Sequence, residues 1–167
     1  MLYLVFSALA LALLALDQWV KVWVSAHLAL GETAPLLGPV LELHAVHNYG
    51  AAWSSFSGQR WLLAGVTGCI LLAVAALLAR RRIRHPAGLA AAFLILAGGL
   101  GNLIDRLRLG YVVDMLHFPF WPSYPTFNVA DICVVCGSVL AVVYYLFLHE
   151  RNGERERHDG TQDPAGS

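Results

Sequence analysis

This sequence holds little charge. Only 13% of its 167 residues are Asp, Glu, Lys or Arg, about half the share of an average soluble domain. Basic and acidic residues balance at 11 each and form no extended basic stripe, which argues against nucleic acid as a partner. Three cysteines are too few for a disulfide scaffold. His44 and His47 are too few for a zinc site and no HExxH completes one, so no metal is expected. Ser54, Ser55 and Ser57 have no G-x-S-x-G elbow around them, which leaves a serine nucleophile unsupported. What the chain has instead is apolar residues, 58% of the total. That excludes disorder for its bulk and leaves an integral membrane protein.

Four runs are long and apolar enough to cross a bilayer, at roughly 2–24, 61–79, 87–104 and 129–148. Arg80, Arg81, Arg82 and Arg84 lie between the second and third, and Arg151, Arg155 and Arg157 follow the fourth. The other connections carry fewer: Arg60 on one, Arg106 and Arg108 on the other, with Lys21 near the outer end of the first run. By the positive-inside rule both termini are cytoplasmic, as an even number of spans requires. A cleaved signal peptide is the rival reading of residues 2–24, but that stretch lacks a basic start and carries Asp17 and Lys21. Residues 1–148 are expected to form one membrane domain and 149–167 a polar cytoplasmic tail. The alternation in ELHAVH, between Ser25 and Arg60, suggests short strands. The expected fold is therefore an all-α membrane protein of four transmembrane helices with a small external, partly β platform. The aromatic, proline-rich run Phe118–Phe127 reads as an interfacial segment.

Ionisable groups inside a span cost several kcal/mol, so each is a functional candidate. Asp17 lies about 22 Å along the first span at 1.5 Å per residue. Asn102 and Asp105 end the outward-going third span, Asp131 opens the inward-going fourth, and Asp114 lies in the external connection between them. Four carboxylates thus converge at one depth near the external face. Asp17 and Lys21, spaced i, i+4, read as a self-neutralising pair. Gly98, Asn102 and Asp105 share a helical face, and Ala97 with Gly101 forms a small-xxx-small packing strip. Asp105 beside Arg106 reads either as an interfacial ion pair or as a group with chemistry. Asn128 and Asp131 have the spacing of a capping box. Asp114 sits in an apolar surround that should raise its pKa. Two carboxylates in one such site share a proton, so that one activates water while the other polarises a carbonyl; Asp114 and Asp131 are the candidates. Cys133 and Cys136 read as buried small apolar residues. A small proton-coupled transporter is the alternative, although its carboxylates would be expected near the midplane.

The pieces DQWVK (Asp17–Lys21), NYGAAW (Asn48–Trp53), GGLGNLIDR (Gly98–Arg106), VVDM (Val112–Met115) and FNVAD (Phe127–Asp131) resemble, in this order, the bacterial lipoprotein signal peptidases, or signal peptidase II. Each piece is weak alone; five in order between four spans are specific, and they cover nearly all of residues 1–148. The resemblance implies an intramembrane aspartyl peptidase of the bacterial inner membrane, working without a cofactor. Its substrate would be a diacylglyceryl-modified prolipoprotein drawn from membrane lipid and cut before the lipidated cysteine. Asp114 and Asp131 would be the catalytic pair. Asn48, Gly50, Asn102, Arg106 and Asn128 would line the site, bind substrate or support the pair, with Asp17 and Lys21 as a structural or binding pair and Asp105 as an important carboxylate outside the catalytic two; Gly98 and Gly101 read, from the helix pattern itself, as packing residues. A monomer is the expected form. Trp53 and Met115 stand where the family often has Phe, which bears on substrate packing and leaves the chemistry intact.

Overall fold

The four apolar runs fold as helices. A computed structural model describes residues 1–51 and 55–148, so Trp53 and the tail 149–167 lie outside the described residues. The helices are α1 (Leu2–His27), α2 (Arg60–Ala79), α3 (Pro86–Arg108) and α4 (Val129–Val143), the last continued by a π-helical turn at Tyr144–Leu148. Each is long and apolar enough to cross a membrane, α4 being counted through Phe147. Two run past the apolar stretch that announced them. α1 continues from Val24 to His27, and α3 continues from Ile104 through Asp105 and Arg106 to Arg108. The polar residues do not end α3, because partners on other elements satisfy them inside the bundle.

α3 is the central helix and packs against α1, α2 and α4. Its composition explains the position. Gly88, Ala91, Ala92, Ala97, Gly98, Gly99 and Gly101 are all buried, and small residues let backbones approach where lipid offers no hydrophobic drive between helices. A Cβ at Gly98 would run into the Ala130 carbonyl oxygen of α4, and one at Gly101 would lie 2.6 Å from the Asp17 carboxylate of α1. α4 answers with Gly137, whose missing Cβ leaves room for the Ala91 carbonyl of α3. Cys133 is buried in this interface. Cys136, three residues on, is exposed on the outer surface, contrary to its expected burial, and the described cysteines are free thiols.

The helices are joined at one end by an antiparallel sheet in the order β1 (Thr33–Leu37), β2 (Leu41–Asn48), β3 (Val112–His117). The third strand, carrying VVDM, is a finding beyond the short strands expected between Ser25 and Arg60. Strand alternation sorts its side chains. Val113 and Met115 face a core with Val24 and Ala45 that seats the sheet on the end of α1, whereas Val112 and Asp114 line a cavity on the opposite side. Met115 therefore packs beneath the sheet and does not line that cavity. After β3 the aromatic run folds back on itself, with Phe118, Tyr124 and Phe127 in mutual ring contact. Phe127 bridges to Leu116, which delivers Asn128 to the start of α4 beside Asp114.

Candidate active site

Asp114 is held from two sides. In the β2–β3 register it sits opposite Val46, which makes Asn48 its diagonal neighbour on the same face. The Asn48 Nδ2 donates to Asp114 Oδ2 at 2.9 Å, and Asn128 Nδ2 donates to Asp114 Oδ1 at 2.7 Å. Asn48 is itself fixed by the Gly50 N–H, which donates to its Oδ1 at 2.9 Å. Arg106 Nη2 then donates to the Gly50 carbonyl at 3.0 Å, tying this loop to α3.

Asp131 occupies the third position of α4 and completes the anticipated capping box. The Asp131 N–H donates to Asn128 Oδ1 at 2.9 Å, and the Asn128 N–H donates back to Asp131 Oδ2 at 3.2 Å. Its other oxygen accepts from Asn102 Nδ2 at 2.7 Å. Each of the four oxygens of Asp114 and Asp131 thus accepts from an Asn amide or from the cap backbone. Asn128 holds both carboxylates at once and is fully buried.

A second carboxylate pair lies behind the first. Lys21 Nζ is 2.9 Å from both Asp17 Oδ2 and Asp105 Oδ2, and it also donates to Asn102 Oδ1 at 2.9 Å. The Asp17–Lys21 pair is therefore part of a larger cluster rather than self-contained. Nor does Asp105 pair with Arg106, because i, i+1 side chains on a helix point apart. Asp105 also takes the Val113 N–H at 3.2 Å, and Asp17 takes the Ala130 N–H at 2.8 Å. Gln18, which adjoins Asp17 but has no charge or spacing to mark it in the sequence, places its Nε2 3.2 Å from Asp17 Oδ2, the Gly101 carbonyl and Asp105 Oδ1.

Asn102 connects the two clusters. Lys21 and Asn128 both donate to its Oδ1, which leaves its Nδ2 free to point at Asp131. A reversed amide would set its NH₂ group against an ammonium. The cation thereby fixes the polarity of the bond that orients Asp131.

Both Asp114 and Asp131 line a cavity of about 460 Å³, together with Asn48, Asn102 and Arg106. Burial raises the pKa of Asp114 to about 7, with Asp131 adding to the rise, while the bonds from Asn48 and Asn128 and the Lys21 charge oppose it. A carboxyl so tuned can give or take a proton near neutral pH. All the candidate polar residues named from sequence meet in this one network. The glycines at 98 and 101 do the packing expected of them.

The sequence profile described as signal peptidase (SPase) II matches residues 9–147. A lipoprotein signal peptidase of Lactococcus lactis subsp. cremoris is 42% identical over 130 residues, covering 78% of this chain and 85% of that one. One from Streptococcus agalactiae is 36% identical over 151 residues, covering 90% and 96%. A bacterial membrane enzyme structure solved at 2.3 Å superposes with a TM-score of 0.79 at 25% identity, covering 96% of this chain and 94% of the other. A second, solved at 1.9 Å, gives 0.77 at 28% identity over 85% and 93%.

Proposed function

The chain belongs to the signal peptidase II family, and from that membership we propose that it removes signal peptides from diacylglyceryl-modified prolipoproteins by aspartyl chemistry. The bond cut is the one before the lipidated cysteine. One observation supports this reading above the others: Asp114 and Asp131, held only by amides, lie together at the polar end of a cavity whose remaining walls are largely apolar.

In the proposed reaction, water sits between the two carboxylates. Asp131, in the first turn of α4 where the helix N-terminus favours negative charge, takes a proton from that water. The water oxygen bonds to the scissile carbonyl carbon while Asp114, protonated below about pH 7, gives its proton to the carbonyl oxygen. A gem-diol forms, with Asp131 neutral and Asp114 ionised. Asp131 then protonates the leaving nitrogen and the C–N bond breaks. Asp114 recovers a proton from the gem-diol as the carboxyl product forms. No metal or covalent intermediate is required.

Residues 1–148 act as one membrane domain, as a monomer, with both termini on the cytoplasmic side by the arginines at 80–84. The site then lies near the external face of the bacterial inner membrane. The test compares purified wild type with Asp114→Asn and Asp131→Asn on a diacylglyceryl-modified prolipoprotein and on its unmodified counterpart. Cleavage of the lipidated substrate alone, lost in both folded variants, is the expected result. Cleavage by both Asn variants would overturn the aspartate assignment, and a folded wild type inert on both substrates would overturn the function.

A further inference from the structure

Below its carboxylates the cavity continues as an apolar lobe between three helices, lined by Ile70 and Leu71 of α2, Ile95 and Gly99 of α3, and Val134 and Val135 of α4. At 1.5 Å per residue, Ile95 lies about 10 Å deeper than Asn102. That is farther than a short side chain of a bound peptide reaches. One turn of helix, about 10 Å across and 5.4 Å long, would fill roughly 400 Å³. This nearly equals the whole cavity of about 460 Å³, so the lobe suits a single extended apolar chain and not a helical segment.

The lobe has a gauge. Gly99 is buried, and a Cβ built on it would lie 2.6 Å from Leu71 Cδ2 and 3.3 Å from Leu71 Cγ. Leu71 is itself 6% exposed. The contact differs from the one at the adjacent glycine. At Gly98 a methyl group meets the Ala130 backbone carbonyl, whereas at Gly99 it meets only the far end of a flexible side chain. Gly99 can therefore accept a methyl group without breaking the helix pair. The methyl group and the displaced Leu71 would both take up space that the lobe now offers.

We propose that Gly99 and Leu71 form a constriction that selects acyl-chain length, with one acyl chain of the diacylglyceryl cysteine occupying the lobe. The inference rests on the proposed function and deepens it. The test uses synthetic lipopeptides of one peptide sequence carrying dihexanoyl- or dipalmitoyl-glyceryl cysteine, each assayed for kcat and KM. Gly99→Ala is expected to lower the long-to-short ratio of kcat/KM about tenfold, the effect of one methylene in a filled apolar pocket, chiefly through KM. Leu71→Phe should do the same from the opposite wall, and serves if Gly99→Ala fails to fold. In the double variant Gly99→Ala, Leu71→Ala the ratio should return toward wild type, because the added methyl group then has room. An unmoved ratio in both single variants would overturn the constriction. A constant acyl ratio with an altered preference for the residue before the cut would show a peptide side chain in the lobe and overturn the assigned occupant. Wild type that cleaves neither lipopeptide would overturn the proposed function, and the constriction with it.

Discussion

Two pairs of aspartates, buried except for the half-buried Asp131, lie at the same end of this bundle, and they differ in what neutralises them. Asp17 and Asp105 share the Lys21 ammonium at 2.9 Å each. Asp114 and Asp131 are held by the amides of Asn48, Asn102 and Asn128, and among the described residues no lysine or arginine nitrogen is within ion-pair distance of either. All four carboxylates are within hydrogen-bonding networks, so satisfied geometry does not separate the pairs. The cation does. The carboxylates against the ammonium belong to a cluster that ties three helices together. A carboxylate held only by amide donors is positioned yet keeps a proton affinity that can be used.

The largest test of that contrast is to remove charge from the amide-held pair. Asp114→Asn or Asp131→Asn is expected to lower kcat by roughly 10³-fold or more, since general acid or base assistance alone is worth about 10²–10⁴. Thermal unfolding in detergent should change little by comparison. The opposite profile is expected for the first pair. Lys21→Met leaves Asp17 and Asp105 buried without their counter-ion, a change worth about 3–5 kcal/mol of destabilisation, and Asp105→Asn in the same chain should recover part of it. Thermal unfolding of the single and double variants measures this. If Lys21→Met were as stable as wild type and lost only kcat, the division between a structural and a reactive pair would be wrong.

Much of this arrangement was legible in the sequence because it is written in local pattern. Apolar run length gives the four helices, and arginine placement gives their expected direction. The Asn128–Asp131 spacing gives the capping box, and the strand in ELHAVH follows from its alternation. What local pattern could not supply was pairing across the chain. The partner of Asp105 is Lys21, 84 positions away, and not adjacent Arg106. That choice depends on how α1 and α3 cross, which no spacing within either helix encodes. The third strand is not legible in the sequence for a related reason. Val112–His117 is short, and only its ladder with β2 makes it a strand. That ladder also decides that Met115 faces the core beneath the sheet while Asp114 faces the cavity.

Titration should sharpen the same contrast. With Asp114 required as a proton donor and its pKa at about 7, kcat/KM should fall as pH rises past about 7, by about tenfold per pH unit once that group is ionised. Asp131, which the proposed mechanism requires in its ionised form as base, should supply the acid limb. A pH–rate profile over the whole range checks both limbs, and a flat profile would remove the shared-proton mechanism. Stability carries the matching sign. A pKa higher in the folded than in the unfolded chain contributes stability that is complete below about pH 4, the unfolded value. That contribution is lost as pH rises through about 7, so unfolding midpoints should decline across this window and decline less in Asp114→Asn.

The smallest effect isolates one amide. The bond from Asn48 Nδ2 to Asp114 Oδ2, 2.9 Å long, stabilises the ionised carboxylate and so opposes the rise in its pKa. Removing it in Asn48→Ala should carry that pKa higher still. A hydrogen bond to a charged group is worth about 1.5 kcal/mol, and one pKa unit is about 1.4 kcal/mol. The alkaline limb should therefore move to higher pH by up to about one unit. Asn128→Ala would remove a comparable bond but would also uncap α4, at a further cost of about 1 kcal/mol, so Asn48 is the cleaner probe. A merely structural loss at the Asn48–Gly50 turn would lower the rate at every pH and leave the limb in place. A limb that stays with the rate unchanged, or one that moves to lower pH, would mean that Asp114 is not the group whose proton the reaction uses.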